Sequence, residues 1–192
     1  LEKAQADLAT TAGNYAAGNK NTALTGTTLW SDASASDPIG DIETGKEAIR
    51  AQTGRYPNTL VISAKTMRAL RVHSKILDRI KYTGRDVPTV ELLASLFGLQ
   101  KVVEGGAVWA DASGALTDVW GKTAVLAVTE TGSLADMGVP SYGYTYRLRG
   151  APIVETPYED RPAKSWVYPV TDEVAPVIAG ATAGYLISPT VA

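Results

Sequence analysis

Residues 59–81 read TLVISAKTMRALRVHSKILDRIK, and the change of period inside them decides the fold class. Thr59 to Ser63 is a short apolar run rich in β-branched residues, which suits a buried strand. From Ala64 to about Lys81 the pattern turns helical, at about 100° per residue. Ala69, Leu70, His73, Ile76, Leu77 and Ile80 then share one arc, and Lys65, Arg68, Arg71, Lys75 and Arg79 share the opposite one. This predicts a single amphipathic helix with His73 turned to the core and five cations turned outward.

Upstream of this stretch, Asp37-Pro38 marks a helix start. The Asp can accept from exposed backbone N–H groups, and Pro fits the first helical position. Asp41 and Glu43 favour the positive end of the helix dipole. Ile39, Ile42 and Ile49 form its apolar stripe, and Gly54 is a natural stop. Residues 17–36 are rich in Gly, Asn, Thr and Ser and read as a loop, with Trp30 as its large anchor. Leu1, Ala4, Leu8, Ala12 and Tyr15 recur at helical spacing up to about Ala16. That pattern is already running at Leu1, which reads as a chain cut inside a longer helix.

Downstream, Gly84 lies in a connection, and a helix runs from about Pro88 to Phe97 with Gly98 as stop. Beyond Gly98 the period becomes that of strands. LQKVV, GAVWA, TDVW, TAVLAV, YGYTYRL, PIVETPYE, KSWVYPV, VAPVIA and AGYLIS follow, separated by Gly, Asp, Ser and Pro. Helices first and strands later give an α+β class, not a regular βαβ alternation. No internal repeat is visible.

The whole chain of 192 residues is long enough for a substantial core. Apolar residues at 45% and charged residues at 20% fit a folded soluble protein. Eighteen Lys and Arg against twenty Asp and Glu leave a formal net charge of −2, which does not advertise wholesale binding to nucleic acid or membrane. Without Cys there is no thiolate metal site, disulfide scaffold or Cys nucleophile. One histidine, His73, excludes any centre that needs two. The longest uncharged run, Val174 to Ala192, is broken by Pro and Gly and reads as strands, not as a membrane helix.

The chemical motifs have structural readings. Gly40 to Lys46 matches the start of a phosphate-binding loop, GxxxxGK. The next residue is Glu47 where a Ser or Thr hydroxyl should hold magnesium, and the segment lies within a helix. Gly121-Lys122-Thr123 sits between strands and reads as a turn. His73 lacks a nucleophile signature nearby. Asp111 and Asp118 flank the turn SGALT and read as hairpin residues. Tyr142, Tyr144 and Tyr146 alternate as one face of a strand. No catalytic, cofactor-binding or metal-binding residue is predicted, and no cofactor.

The middle of the chain, about residues 24–130, resembles the major capsid proteins of tailed bacteriophages. The ordered features are a Trp-Asp loop at Trp30 and Asp32, the Asp37-Pro38 start, Gly54, and Pro57-Asn58 before a strand. A helix with Leu70, His73, Ile76, Ile80 and Lys81 follows, then the Phe97-Gly98 helix end. The resemblance implies the Hong Kong ninety-seven type of fold, with a central axial domain and a peripheral domain built from the N-terminal helix and C-terminal strands. On that mapping residues 1–36 are the end of the spine helix and a linker, 37–128 the axial domain, and 129–192 a strand-rich return to the peripheral domain.

The implied function is a structural, non-enzymatic subunit of an icosahedral capsid of a phage or prophage. Its partners would be copies of itself in hexamers and pentamers, scaffolding and portal proteins, and packaged DNA bound non-specifically, with no membrane. It would be assembled in the bacterial host cytoplasm and end in the virion. Lys65, Arg68, Arg71, Lys75 and Arg79 are the expected subunit interface. The alternatives are an encapsulin-type shell, a small hydrolase using His73 with Asp111 or Asp118, and a phage tail or adhesin module.

Overall fold

The computed structural model of the chain describes residues 1–81, 87–130 and 140–192; Gly84 of the predicted connection lies outside them. Five helices are described: α1 (Glu2–Thr10), α2 (Pro38–Thr53), α3 (Ala64–Arg71), α4 (Ser74–Ile80) and α5 (Val90–Phe97). The core is built on a five-stranded mixed sheet. Its strands are β1 (Lys20–Asn21), β2 (Thr59–Ser63), β3 (Lys101–Gly105), β6 (Ala124–Ala127) and β13 (Gly184–Ile187), in the order β1-β13-β6-β2-β3. The outer pairs β1–β13 and β2–β3 are parallel, and the inner pairs through β6 are antiparallel.

Every residue of β6 and β13 is buried, because the sheet is covered on both faces. Leu60, Leu126 and Tyr185 lie in cross-strand register and share one face. Helix α2 packs there through Gly45, where a Cβ would stand 2.7 Å from Leu126 Cδ1 and 2.8 Å from Tyr185 Cδ1. Only glycine lets the helix come this close. Val61 and Val125 point to the other face, beneath Leu8 and Ala9 of α1 and the ring of Tyr142.

The strand-rich second half folds mainly as hairpins. β4 (Val108–Ala110) pairs with β5 (Leu116–Asp118). After the buried Tyr142 the chain forms three nested antiparallel pairs. β7 (Gly143–Arg147) lies against β12 (Val174–Ile178), β8 (Ile153–Val154) against β11 (Val170–Thr171), and β9 (Tyr158–Asp160) against β10 (Ser165–Val167). Residues 143–178 are thus one long two-stranded ribbon. Its tip turns at Lys164, which has a positive φ of 48°. Helix α1 rests on the base of the ribbon, where Gln5 Nε2 donates to Thr145 Oγ1 at 2.8 Å.

Three expectations need correction. The helix over 64–81 is two helices. Val72 closes α3 and His73 takes an extended φ/ψ of −73°/124° as the N-cap of α4, because its side chain is drawn to the loop before α2. The first helix stops at Thr10, since the Thr10 and Thr11 hydroxyls bond back to the carbonyls of Ala6 and Asp7 and weaken continuation. Helix α5 starts at Val90, after Thr89, whose hydroxyl accepts from Leu92 N–H as the cap. Strand β13 returns between β1 and β6, in the sheet that also holds β2. Strand β1, inside the predicted loop 17–36, exists only because β13 offers it a partner.

Candidate interaction surfaces and the buried histidine

The five cations of the predicted arc are divided between α3 and α4 by the turn at Val72. Lys65, Arg68, Arg71 and Arg79 are exposed, and Lys75 is half-buried. Three of them already have partners within the chain. Lys65 Nζ is 2.7 Å from Asp118 Oδ2, Arg71 reaches Glu104 at 3.2 Å, and Lys75 reaches Asp37 Oδ1 at 3.5 Å. These are partly exposed pairs, each worth about 0–1 kcal/mol. Arg68 and Arg79 have no partner among the described residues. The Asp37 carboxylate makes no capping bond to α2, contrary to the sequence reading, and turns to Lys75 instead.

The loop before α2 is held by side-chain bonds. Trp30 is fully buried; its Nε1 donates to Asp41 Oδ2 at 2.7 Å and its backbone N–H to Thr190 O at 2.7 Å. Burial raises the Asp41 carboxyl above its ordinary pKa, against the Trp30 bond that lowers it. Asp32 Oδ1 accepts from the N–H groups of Ser34 and Ala35 and from the Ser34 hydroxyl, which lowers its pKa. Ser74 of α4 donates its hydroxyl to Ala33 O.

His73 is buried beside this loop, with Nε2 2.9 Å from Ser36 Oγ. The Ser36 hydroxyl donates to Asp32 O at 2.7 Å, so its oxygen is left to accept and Nε2 carries the proton. Nδ1 has no partner. This is not the arrangement of a hydrolase. A catalytic His takes the proton of its Ser and is oriented at Nδ1 by a carboxylate. Here the Ser proton is spent on a carbonyl, Ser36 is buried too, and the two proposed acids are occupied elsewhere. Asp111 closes its own turn by accepting from Ser113 and Ala115, and Asp118 pairs with Lys65. Ser36 as the partner of His73 carried no sequence signal, being far away in the chain.

Burial, and next the charge of Lys75, hold the His73 pKa below its ordinary value, while Asp37 and Asp32 pull it up. The unfolded chain therefore binds a proton more readily than the folded one, beginning near pH 6.5. Stability is full above that pH and declines as pH falls through the lowered folded pKa. His73→Ala is expected to lose about 1–3 kcal/mol at pH 7.5 through lost packing and an unpaired Ser36. It is also expected to flatten the fall in melting temperature between pH 7 and pH 5, as read by calorimetry. An unchanged slope would place the acid sensitivity elsewhere.

The GxxxxGK match is structural. Gly45 is the close-contact glycine on the sheet, and Lys46 Nζ donates to Phe97 O at the end of α5, 2.8 Å away, while pairing with Glu43. A cation there favours the negative end of the α5 dipole. An apolar cleft of about 200 Å³ lies between α1, the sheet and the ribbon base, lined by Leu8, Val61, Trp120, Val125, Tyr142 and Val177 among others. Among the described residues, no acid, base or histidine lines it. Tyr142 stacks on Tyr15 at 5.1 Å between ring centroids, whereas Tyr146 is exposed. No group of three metal-ligating side chains occurs among the described residues, and no described helix is long and apolar enough to cross a membrane.

Residues 5–190 match the family model described as phage major capsid protein E. The chain belongs to that family. It is 43% identical over 190 residues to the major capsid protein of Burkholderia phage BcepMu, covering 97% of this chain and 61% of that one. A crystal structure of a phage-related protein from Bordetella bronchiseptica superposes with a TM-score of 0.89 at 38% identity, over 96% of this chain and 61% of the other. A putative capsid protein of an E. coli CFT073 prophage aligns more loosely, with a TM-score of 0.48 at 17% identity, over 93% of this chain and 54% of the other. The chain thus spans about three fifths of the length of the first two relatives. Its α+β fold is a capsid-protein fold.

Proposed function

We propose that this chain is part of the structural subunit of an icosahedral phage or prophage capsid, which assembles with copies of itself around the DNA genome. The family match over nearly the whole chain carries this reading. The physics fits it. A shell subunit needs large complementary surfaces, not a concave reactive site. This chain has exposed apolar and charged surfaces, and its one histidine is buried. The central sheet with its helices is the proposed axial body, and α1 with the ribbon of residues 143–178 the proposed peripheral part. Hexamers and pentamers in the virion are the expected assemblies, formed in the host cytoplasm with scaffolding and portal proteins, with packaged DNA held non-specifically.

Lys65, Arg68, Arg71, Lys75 and Arg79 form a proposed subunit interface in this reading. Complementary charges fix register and speed encounter more than they add affinity. Replacing Arg68, Arg71 and Lys75 by Glu should keep the fold with a modest fall in melting temperature, because the Arg71–Glu104 and Lys75–Asp37 pairs are lost while the buried side of α3 and α4 is untouched. Assembly of the whole protein, followed by light scattering, should become slower and more salt-sensitive. Unchanged kinetics with lost DNA retention would instead assign this face to the genome. The reading itself is tested by expressing the whole protein with any scaffold. Hexamers, pentamers or closed shells are expected by sedimentation and electron microscopy, and a product that is monomeric under every assembly condition would refute it.

A further inference from the structure

The break between α3 and α4 carries none of the local signals that bound α2, α5 and the start of α3. Gly54 and Gly98 end α2 and α5 in left-handed conformations, and the side chains of Ser63 and Thr89 cap the starts of α3 and α5. At the break, Val72 closes α3 with φ/ψ of −111°/3°, and His73 opens α4 without a capping bond from its side chain. Neither is Gly or Pro, and both are ordinary residues in a helix interior. The buried residues Thr66, Met67, Leu70, His73, Ile76 and Ile80 follow one helical period straight through the break. What holds His73 out of the helix comes from elsewhere. Ser36 Oγ accepts from His73 Nε2 at 2.9 Å, and Ala33 O accepts from the Ser74 hydroxyl.

We propose that residues 64–80 form a two-state helix, kinked while the loop before α2 grips His73 and Ser74, and continuous when that grip is released. The device stands on the geometry of this chain and not on the capsid reading. Release trades two side-chain bonds for the backbone bonds of the missing turn, an exchange between two packed arrangements and not an unfolding. The buried side chains keep to the core side, since their period is already helical. The exposed ones move. Lys75 and Arg79 swing with α4 relative to Lys65, Arg68 and Arg71, so the loop sets the spacing of the cationic face. The releasing agent is a proton. Nδ1 of His73 is buried with no partner among the described residues, so a charged ring puts an unpaired donor there. Lys75 on α4 opposes the added charge, whereas Asp32 in the loop and Asp37 at the start of α2 attract it. Asp41, further along α2, is held by the Trp30 indole. Burial is the largest of these influences, and the gripped state favours the neutral ring.

The test is read at His73 by nuclear magnetic resonance on the full chain. In the unsubstituted protein at neutral pH the His73 Cα resonance should report extended backbone, and no Overhauser contact should run from Arg71 Hα to the Ser74 N–H. Ser36→Ala removes the grip on the ring and leaves residues 64–80 as they are. Its His73 Cα resonance should move into the helical range, and the contact from Arg71 to Ser74 should appear. Acidifying the unsubstituted protein to about pH 5, below the ordinary histidine pKa of about 6.5, should move the same resonance the same way, and neutralising should return it. This second treatment decides the matter if Ser36→Ala does not fold. A His73 that stays extended under both treatments would overturn the proposal. Random-coil values across residues 72–76 would overturn it too, because they mean that α4 frays instead of joining α3.

Discussion

Trp30→Ala is expected to destabilise the fold by about 3–5 kcal/mol, the range for truncating a fully buried large aromatic. Trp30 is completely enclosed and holds three segments together. Its indole N–H bonds to Asp41 in the first turn of α2, its backbone N–H bonds to Thr190 near the C-terminus, and its own loop leads to Ser36 and His73. Removing the indole opens a large cavity and leaves the Asp41 carboxylate without its donor in a place where burial already disfavours its charge. Urea denaturation followed by circular dichroism gives the value. Trp30→Phe separates the two causes, since it keeps most of the volume and loses only the bond; its cost should be about 1–2 kcal/mol. A loss below about 1 kcal/mol for Trp30→Ala would mean that the loop is not anchored as described.

The contact of α2 with the sheet provides the second large effect. Leu126→Ala, in the middle strand, should cost about 2–5 kcal/mol by leaving a cavity beneath α2. Gly45→Ala should cost about 1–3 kcal/mol for the opposite reason, because its new methyl would enter the van der Waals envelopes of Leu126 and Tyr185. The two changes touch the same space, so their effects should not add. In the Leu126→Ala background the added methyl has room on one side, and the double variant should be more stable than the sum of the single losses implies, by about 0.5–2 kcal/mol. Strict additivity in a double-mutant cycle would show that α2 does not meet the sheet through this pair.

Much of the first half of the fold is legible in the sequence because its signals are local. Pro38 opens α2 and Gly54 ends it in a left-handed conformation with φ of 72°. Gly98 does the same for α5, and TLVIS is the strand β2. The break between α3 and α4 is not legible. No Gly or Pro marks it, and the apolar period continues through Val72 and His73. It is caused by Ser36, a partner far upstream that only the folded chain supplies. The nested ribbon is hidden for a related reason. The sequence reads as four runs where the structure has six strands, with PIVETPYE divided between β8 and β9 and KSWVYPV between β10 and β11, and pairing Gly143 with Ile178 is a long-range choice that no turn residue encodes.

The cationic face is legible to a similar depth. Helical period alone picks out Lys65, Arg68, Arg71, Lys75 and Arg79 as one outward face, and the exposed residues among them stay outward in the fold. What period cannot give is the partner of each. Asp118, Glu104 and Asp37 come from a hairpin, an edge strand and a helix cap, so only Arg68 and Arg79 remain without a described partner. The family resemblance covers about residues 24–130, whereas the family match runs over residues 5–190. The difference is the N-terminal helix and the ribbon, whose sequence patterns are short and weakly punctuated.

The most direct measurement is a cryo-electron-microscopy reconstruction of the phage or prophage particle that carries this chain. The capsid account predicts the five-stranded sheet, α2 and the ribbon of residues 143–178 repeated throughout the shell lattice, at hexamer and pentamer positions. A shell built from another protein, with this fold confined to the tail or absent from the particle, would contradict it.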